Sequence, residues 1–115
     1  MYRFSYAEVL EDSGSESRAR ERQALDHAIE LLQRAAACGP RSPEAIEAVR
    51  YLQQLWGFFI QDLADPNNDL AEQLRADLIS IGLWVIKESD HVINQRSENF
   101  ADLIDVNVTI RDGLK

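Results

Sequence analysis

Two histidines, His27 and His91, and a single cysteine, Cys38, are the first places to look for chemistry in this 115-residue chain. His27 and Glu30 stand three residues apart and would share a helix face, enough to offer a metal two ligands. A catalytic zinc needs three protein ligands and a structural one needs four, and the sequence names no others. Cys38 falls at the C-terminal end of a helical stretch, where the negative end of the helix dipole disfavours a thiolate. A plain structural cysteine is expected there. Asp102 and Asp105 share a helix face, but a carboxylate pair alone describes a solvated surface. There is no GxSxG, no P-loop and no GxGxxG, so triad and phosphate-cradling chemistry have no foothold. The expectation is a protein without catalytic residues, metal or cofactor.

What remains is the chemistry of recognition. Arg18, Arg20 and Arg22 form the one basic cluster. A spacing of two spreads them round a helix, and Glu16 and Glu21 sit among them, so a solvated, salt-bridged turn is expected before an RNA contact. Trp56 lies on an apolar seam and reads as core. Trp84 falls off its helix's main apolar row and admits either core or partner contact. Gly82, in mid-helix, costs about 1 kcal/mol relative to Ala. Close approach of another helix would explain it, with a hinge as the other reading. Asn107 breaks an apolar row, and either fixes packing register or faces a partner.

The elements that position these residues are helical. Leu25, Ala28, Ile29, Leu32, Ala35 and Ala36 recur at helical spacing, and Gly39-Pro40 ends that run. Ser42 and Pro43 can cap and open a second helix. Its seam is Val49, Leu52, Trp56, Phe59 and Leu63, flanked by Tyr51, Leu55 and Phe58, a seam that admits pairing with its own copy as a homodimer. A turn at 64–69 precedes a third helix, with Asp69 and Glu72 resembling a capping box. That helix is apolar on most sides and reads as the central one of a bundle. Ser97 is expected to cap a last helix carrying Phe100, Leu103, Ile104, Val108 and Ile110, stopped by Gly113. The expected fold is all-α: one domain over 1–115, an N-terminal arm at 1–15, and four helices near 16–38, 42–64, 69–95 and 97–112.

Composition bounds the partners. Hydrophobic residues make up 45% and charged residues 28% of the chain, a globular balance rather than a disordered one. The net charge is −8, so direct nucleic-acid binding is not expected. The excess is uneven: residues 1–57 carry seven basic and nine acidic residues, whereas 58–115 carry five and eleven. The second half is therefore the better candidate for a basic or polar protein surface. No apolar stretch is long enough to span a membrane, and the first residues lack the pattern of a secretory signal. A lone cysteine fits a reducing compartment, and the cytoplasm is the expected location.

The run Asn68 to Ser80, with Leu83-Trp84-Val85, resembles the central motif of the FlaF family of flagellar biosynthesis regulators. Leu103-Ile104-Asp105-Val106-Asn107, then Ile110 and Gly113-Leu114, is similar to that family's C-terminal motif, and Trp56 to its second-helix tryptophan. Ala71 departs from the proline of the equivalent helix start. The resemblance implies a cytoplasmic, non-enzymatic factor of flagellated α-proteobacteria that promotes flagellin synthesis and export in concert with the regulator FlbT. Flagellin's terminal segments are amphipathic helices, so helix-in-groove binding is a sensible mode. On that reading the partners are flagellin and FlbT, and the expected contacts are Trp84, Arg75, Asp105 and Asn107. A regulator acting on flagellin mRNA and an adaptor for FlbT are the rival readings.

Overall fold

The apolar periodicities become four helices, α1 (Tyr6–Cys38), α2 (Pro43–Ala64), α3 (Glu72–Ile93) and α4 (Phe100–Gly113). They are seen in a computed structural model that describes residues 6–114, with side chains from residue 17 onward. The fold is all-α, without strands among the described residues. Local chemistry explains the α1–α2 corner. Gly39 takes φ +101°, where a side chain would be strained, and its N–H returns to the Ala35 carbonyl at 2.7 Å. The Ser42 hydroxyl accepts the Ala45 N–H at 3.1 Å, and Pro43 opens α2.

Three boundaries differ from expectation. Helix α1 begins at Tyr6, so the stretch expected as an arm is helical from residue 6, and its first five residues lie outside those described. Ala7, Glu8, Leu10 and Glu11 are good helix formers, and Gly14 costs only about 1 kcal/mol against them. Helix α3 begins at Glu72 with Ala71 at its N-cap and no side-chain cap, so the Asp69–Glu72 capping box does not form. The preceding loop is held by its own polar side chains instead. Asp65 accepts the Asn67 N–H at 2.9 Å, Asn68 accepts the Leu70 N–H at 3.0 Å, and the Asn68 amide donates to the Asp62 carbonyl. Before α4, Asn99 rather than Ser97 caps the helix, accepting the Asp102 N–H at 3.2 Å. Ser97 is committed elsewhere: it accepts the Asn99 N–H and donates to the Glu88 carboxylate.

The packing order is also informative. Helix α1 lies against α2 and α4, and α2 lies against α3, whereas α3 and α4 touch only marginally. The core is Leu25, Leu32 and Ala35 of α1, Val49, Leu52 and Trp56 of α2, Val85 and Val92 of α3, and Leu103 of α4. Helix α3 is therefore peripheral, not central. Its Leu74 and Leu83 are exposed because only its α2-facing side, with Gly82, Val85, Ser89 and Val92, is covered. The α2 seam meets the opposite fate. Val49, Leu52, Trp56 and Leu63 are buried within the chain, while Phe59, the fifth seam position, is half-buried and lines an open recess. No helix among the described residues is long and apolar enough to cross a membrane.

Candidate partner-binding site

Trp56 sets the geometry around which the site is built. The ring is buried, packs edge-on against Phe59 at 5.3 Å, and meets α3 where Gly82 has no side chain. A Cβ on Gly82 would stand 2.8 Å from Trp56 Cε3, closer than carbon atoms approach. The glycine is thus explained by close helix approach. On its other side Trp56 donates its Nε1–H to Asn107 Oδ1 at 2.8 Å, reaching α4. Asn107 also donates from Nδ2 to the Leu103 carbonyl at 2.7 Å.

Because α3 leans on α2 and α4 leans on α1, a gap opens between them. Ile81 and Trp84 of α3 face Asp105, Val106, Thr109 and Ile110 of α4 across a recess of about 310 Å³. Its walls are almost wholly apolar. Ile110 also lines a second recess of about 350 Å³, floored by Leu25, Phe59, Leu63 and Leu78 and bordered by Arg18, Glu21, Asp62 and Asp69. The two recesses adjoin at Ile110, the smaller lying between α3 and α4 and the larger among α1, the end of α2, the loop after it, and single positions of α3 and α4. Such a slot, open along its length and apolar at its floor, fits the face of an amphipathic helix.

The four residues expected from sequence divide cleanly. Trp84 and Asp105 come together on opposite walls of the smaller recess, with Trp84 37% exposed and Asp105 open to solvent. Asn107 is 0% exposed, and its amide is spent on Trp56 and Leu103, so it fixes packing and reaches no surface. Arg75 is turned inward as well, donating from Nη1 to the Leu63 and Asp65 carbonyls at 3.2 and 3.3 Å. It satisfies carbonyls that the end of α2 leaves without helical partners. Its Nε is buried and without a partner. Sequence reasoning did not place Ile81, Val106 and Glu21 at the site. The surplus apolar rows of α3 and α4 were the available signal for the first two; nothing in the spacing signals Glu21.

The other candidates resolve into structure. His27 is exposed and meets Tyr51 edge-on at 4.8 Å. Arg22 donates to the Leu114 carbonyl at 2.9 Å, tying α1 to the end of α4. Arg111 adds an ion pair to Asp26 at 2.9 Å along the same seam. Among the described residues no three His, Cys, Asp or Glu side chains gather as metal ligands would.

A comparison with protein families matches residues 2–114, nearly the whole chain, to the flagellar protein FlaF. The chain belongs to the FlaF family. No curated protein and no solved structure matched it. The matched residues take in all four helices of the described residues and the lining of both recesses.

Proposed function

We propose that this FlaF-family chain is a non-enzymatic, cytoplasmic factor of flagellum biogenesis that binds flagellin as a chaperone and promotes its synthesis and secretion in concert with FlbT. The observation that carries the reading is the open apolar groove between α3 and α4, with Trp84 on one wall and Val106 and Ile110 on the other. An amphipathic terminal helix of flagellin would bury its apolar stripe there and be kept from polymerising before export. Trp84 is the anchor, since a large, partly exposed aromatic at the mouth of a recess is the kind of residue that dominates binding energy. Asp105, opposite, supplies a polar contact at the rim.

Calorimetric titration with monomeric flagellin, repeated with FlbT present, tests this. Tight binding to flagellin alone, with a negative ΔCp from buried apolar surface, is expected. Trp84→Ala should weaken it at least about tenfold, while the far-UV melt shifts by only a few degrees because the ring is already 37% exposed. Binding that appears only after FlbT is added would make the chain an adaptor and sink the chaperone reading.

A further inference from the structure

The groove is apolar along its floor but charged at its ends. One end carries Glu21, Asp62 and Asp69 against a single arginine, Arg18. The other carries Asp105. None of the ion pairs among the described residues involves Glu21 or Asp62. Glu21 is half-buried. Burial first, then the nearby Asp62, push its carboxyl above the usual glutamate range, against an opposing pull from Arg18 and Arg20. Glu21 and Asp62 line the same recess, and the desolvation and repulsion that Glu21 bears there are relieved by an added cation.

Resting on the groove as the binding site, we infer that its occupant is an amphipathic helix with a basic flank, whose Lys or Arg seats against Glu21 and Asp62. The geometry fixes a register. From Asp105 in the smaller recess to Leu114 in the larger, the two linings together follow α4 for about 13 Å at 1.5 Å per residue, which an incoming helix crosses in roughly two and a half turns. An apolar anchor beside Trp84 and a cation at the acidic end must therefore sit about seven to eleven residues apart on one face of the occupant, the i, i+7, i+11 repeat of a helix. Between them its apolar stripe lies on Leu78, Ile81 and Ile110.

Three synthetic amphipathic peptides test this against the full chain. One carries Lys at the register position, one carries Glu there, and one carries Lys on the opposite face. Fluorescence anisotropy should show the first binding about three- to tenfold tighter than the other two, the scale of one or two half-exposed ion pairs. The preference should vanish in the Glu21→Gln/Asp62→Asn double variant and shrink with added salt. That variant removes a repulsion, so its melt should not fall. Equal binding of all three peptides, or a preference that survives in the double variant, overturns the inference. Monomeric flagellin titrated into the same proteins separates the two proposals. If flagellin binds while the peptides are not discriminated, the basic-flank inference fails and the flagellin reading stands. If the peptides are discriminated and flagellin does not bind, the reverse holds.

Discussion

Gly82→Ala asks how much of the structure depends on α3 riding close on α2. The new Cβ would stand 2.8 Å from Trp56 Cε3 and 3.0 Å from both Cδ1 and Cγ1 of Ile60. Carbon contacts settle near 3.5 Å or beyond, so the ring or the helix must move by roughly half an ångström or more. Ile60 is half-buried and the end of its side chain can turn aside. Trp56 is only 1% exposed and is held at Nε1 by Asn107, so its ring has little room to swing. Alanine gains about 1 kcal/mol over glycine inside a helix. Overpacking a well-filled core costs about 1–3 kcal/mol, and a pinned aromatic ring puts this case toward the upper part of that range. The expected net is a loss of about 1–2 kcal/mol, a Tm drop of roughly 4–8 °C for a chain of this size. Gly57→Ala is the control: it makes the same change of helix propensity, and its Cβ meets nothing within 4 Å. It should gain up to about 1 kcal/mol. Urea denaturation followed by far-UV CD reads both. If Gly82→Ala stabilises as much as Gly57→Ala, close approach is not what keeps a glycine at 82, and this account of α3 docking is wrong.

Asn107→Leu leaves the Trp56 N–H buried without its acceptor, and should cost about 1–3 kcal/mol in a urea melt; an unchanged midpoint would deny the hydrogen bond any weight. Arg75→Ala should cost about 1 kcal/mol in a urea melt by freeing the Leu63 carbonyl, since the Asp65 carbonyl keeps the Asn68 N–H at 3.0 Å. For Glu21 the folded carboxyl titrates above its ordinary value of 4.5, so the folded chain holds the proton more tightly than the unfolded chain. Stability therefore falls as pH rises from about 4.5 through the raised value. Glu21→Gln should flatten that fall, gaining on wild type at pH 7 relative to pH 4; melts at the two pH values that differ equally in both proteins would contradict it.

Where the sequence was legible, the deciding signals were short-range. Gly39, Pro40, Ser42 and Pro43 each act on their own backbone, and the α1–α2 corner forms as those residues demand. Gly82 was legible for a related reason: a glycine amid Leu78, Ile79, Val85 and Ile86 has a cost that only a close neighbour offsets. The starts of α3 and α4 were misread because Asp69 and Ser97 had competitors within a few residues. Asn68 and Asn99 make the local bonds instead. Asn107 was undecided because its partner, Trp56, is 51 residues away, and spacing along one helix carries no trace of it. The role of α3 was misjudged for a deeper reason. An all-round apolar helix needs covering, but periodicity does not say whether its own chain or another molecule provides the cover. The Glu21–Asp62 juxtaposition joins α1 to the end of α2, and no pattern within either helix announces it.

The same buried ring links the fold to the site. Helices α3 and α4 scarcely touch, so neither wall of the groove positions the other directly. Both instead take a bearing from Trp56, α3 through the contact at Gly82 and α4 through the hydrogen bond to Asn107. A disturbance on either side of that ring moves a wall, even though Gly82 and Asn107 are buried and neither lines the smaller recess. Gly82→Ala pushes α3 outward, and Asn107→Leu releases α4, so each should weaken helix binding together with stability. Arg75→Ala acts at the end of α2, away from the contacts between that ring and both walls. It should lower stability and leave binding at the Trp84 recess, which neither Leu63 nor Asp65 lines, alone. A variant series in which binding tracks stability for Gly82 and Asn107 but not for Arg75 is what a groove held open by one tryptophan requires.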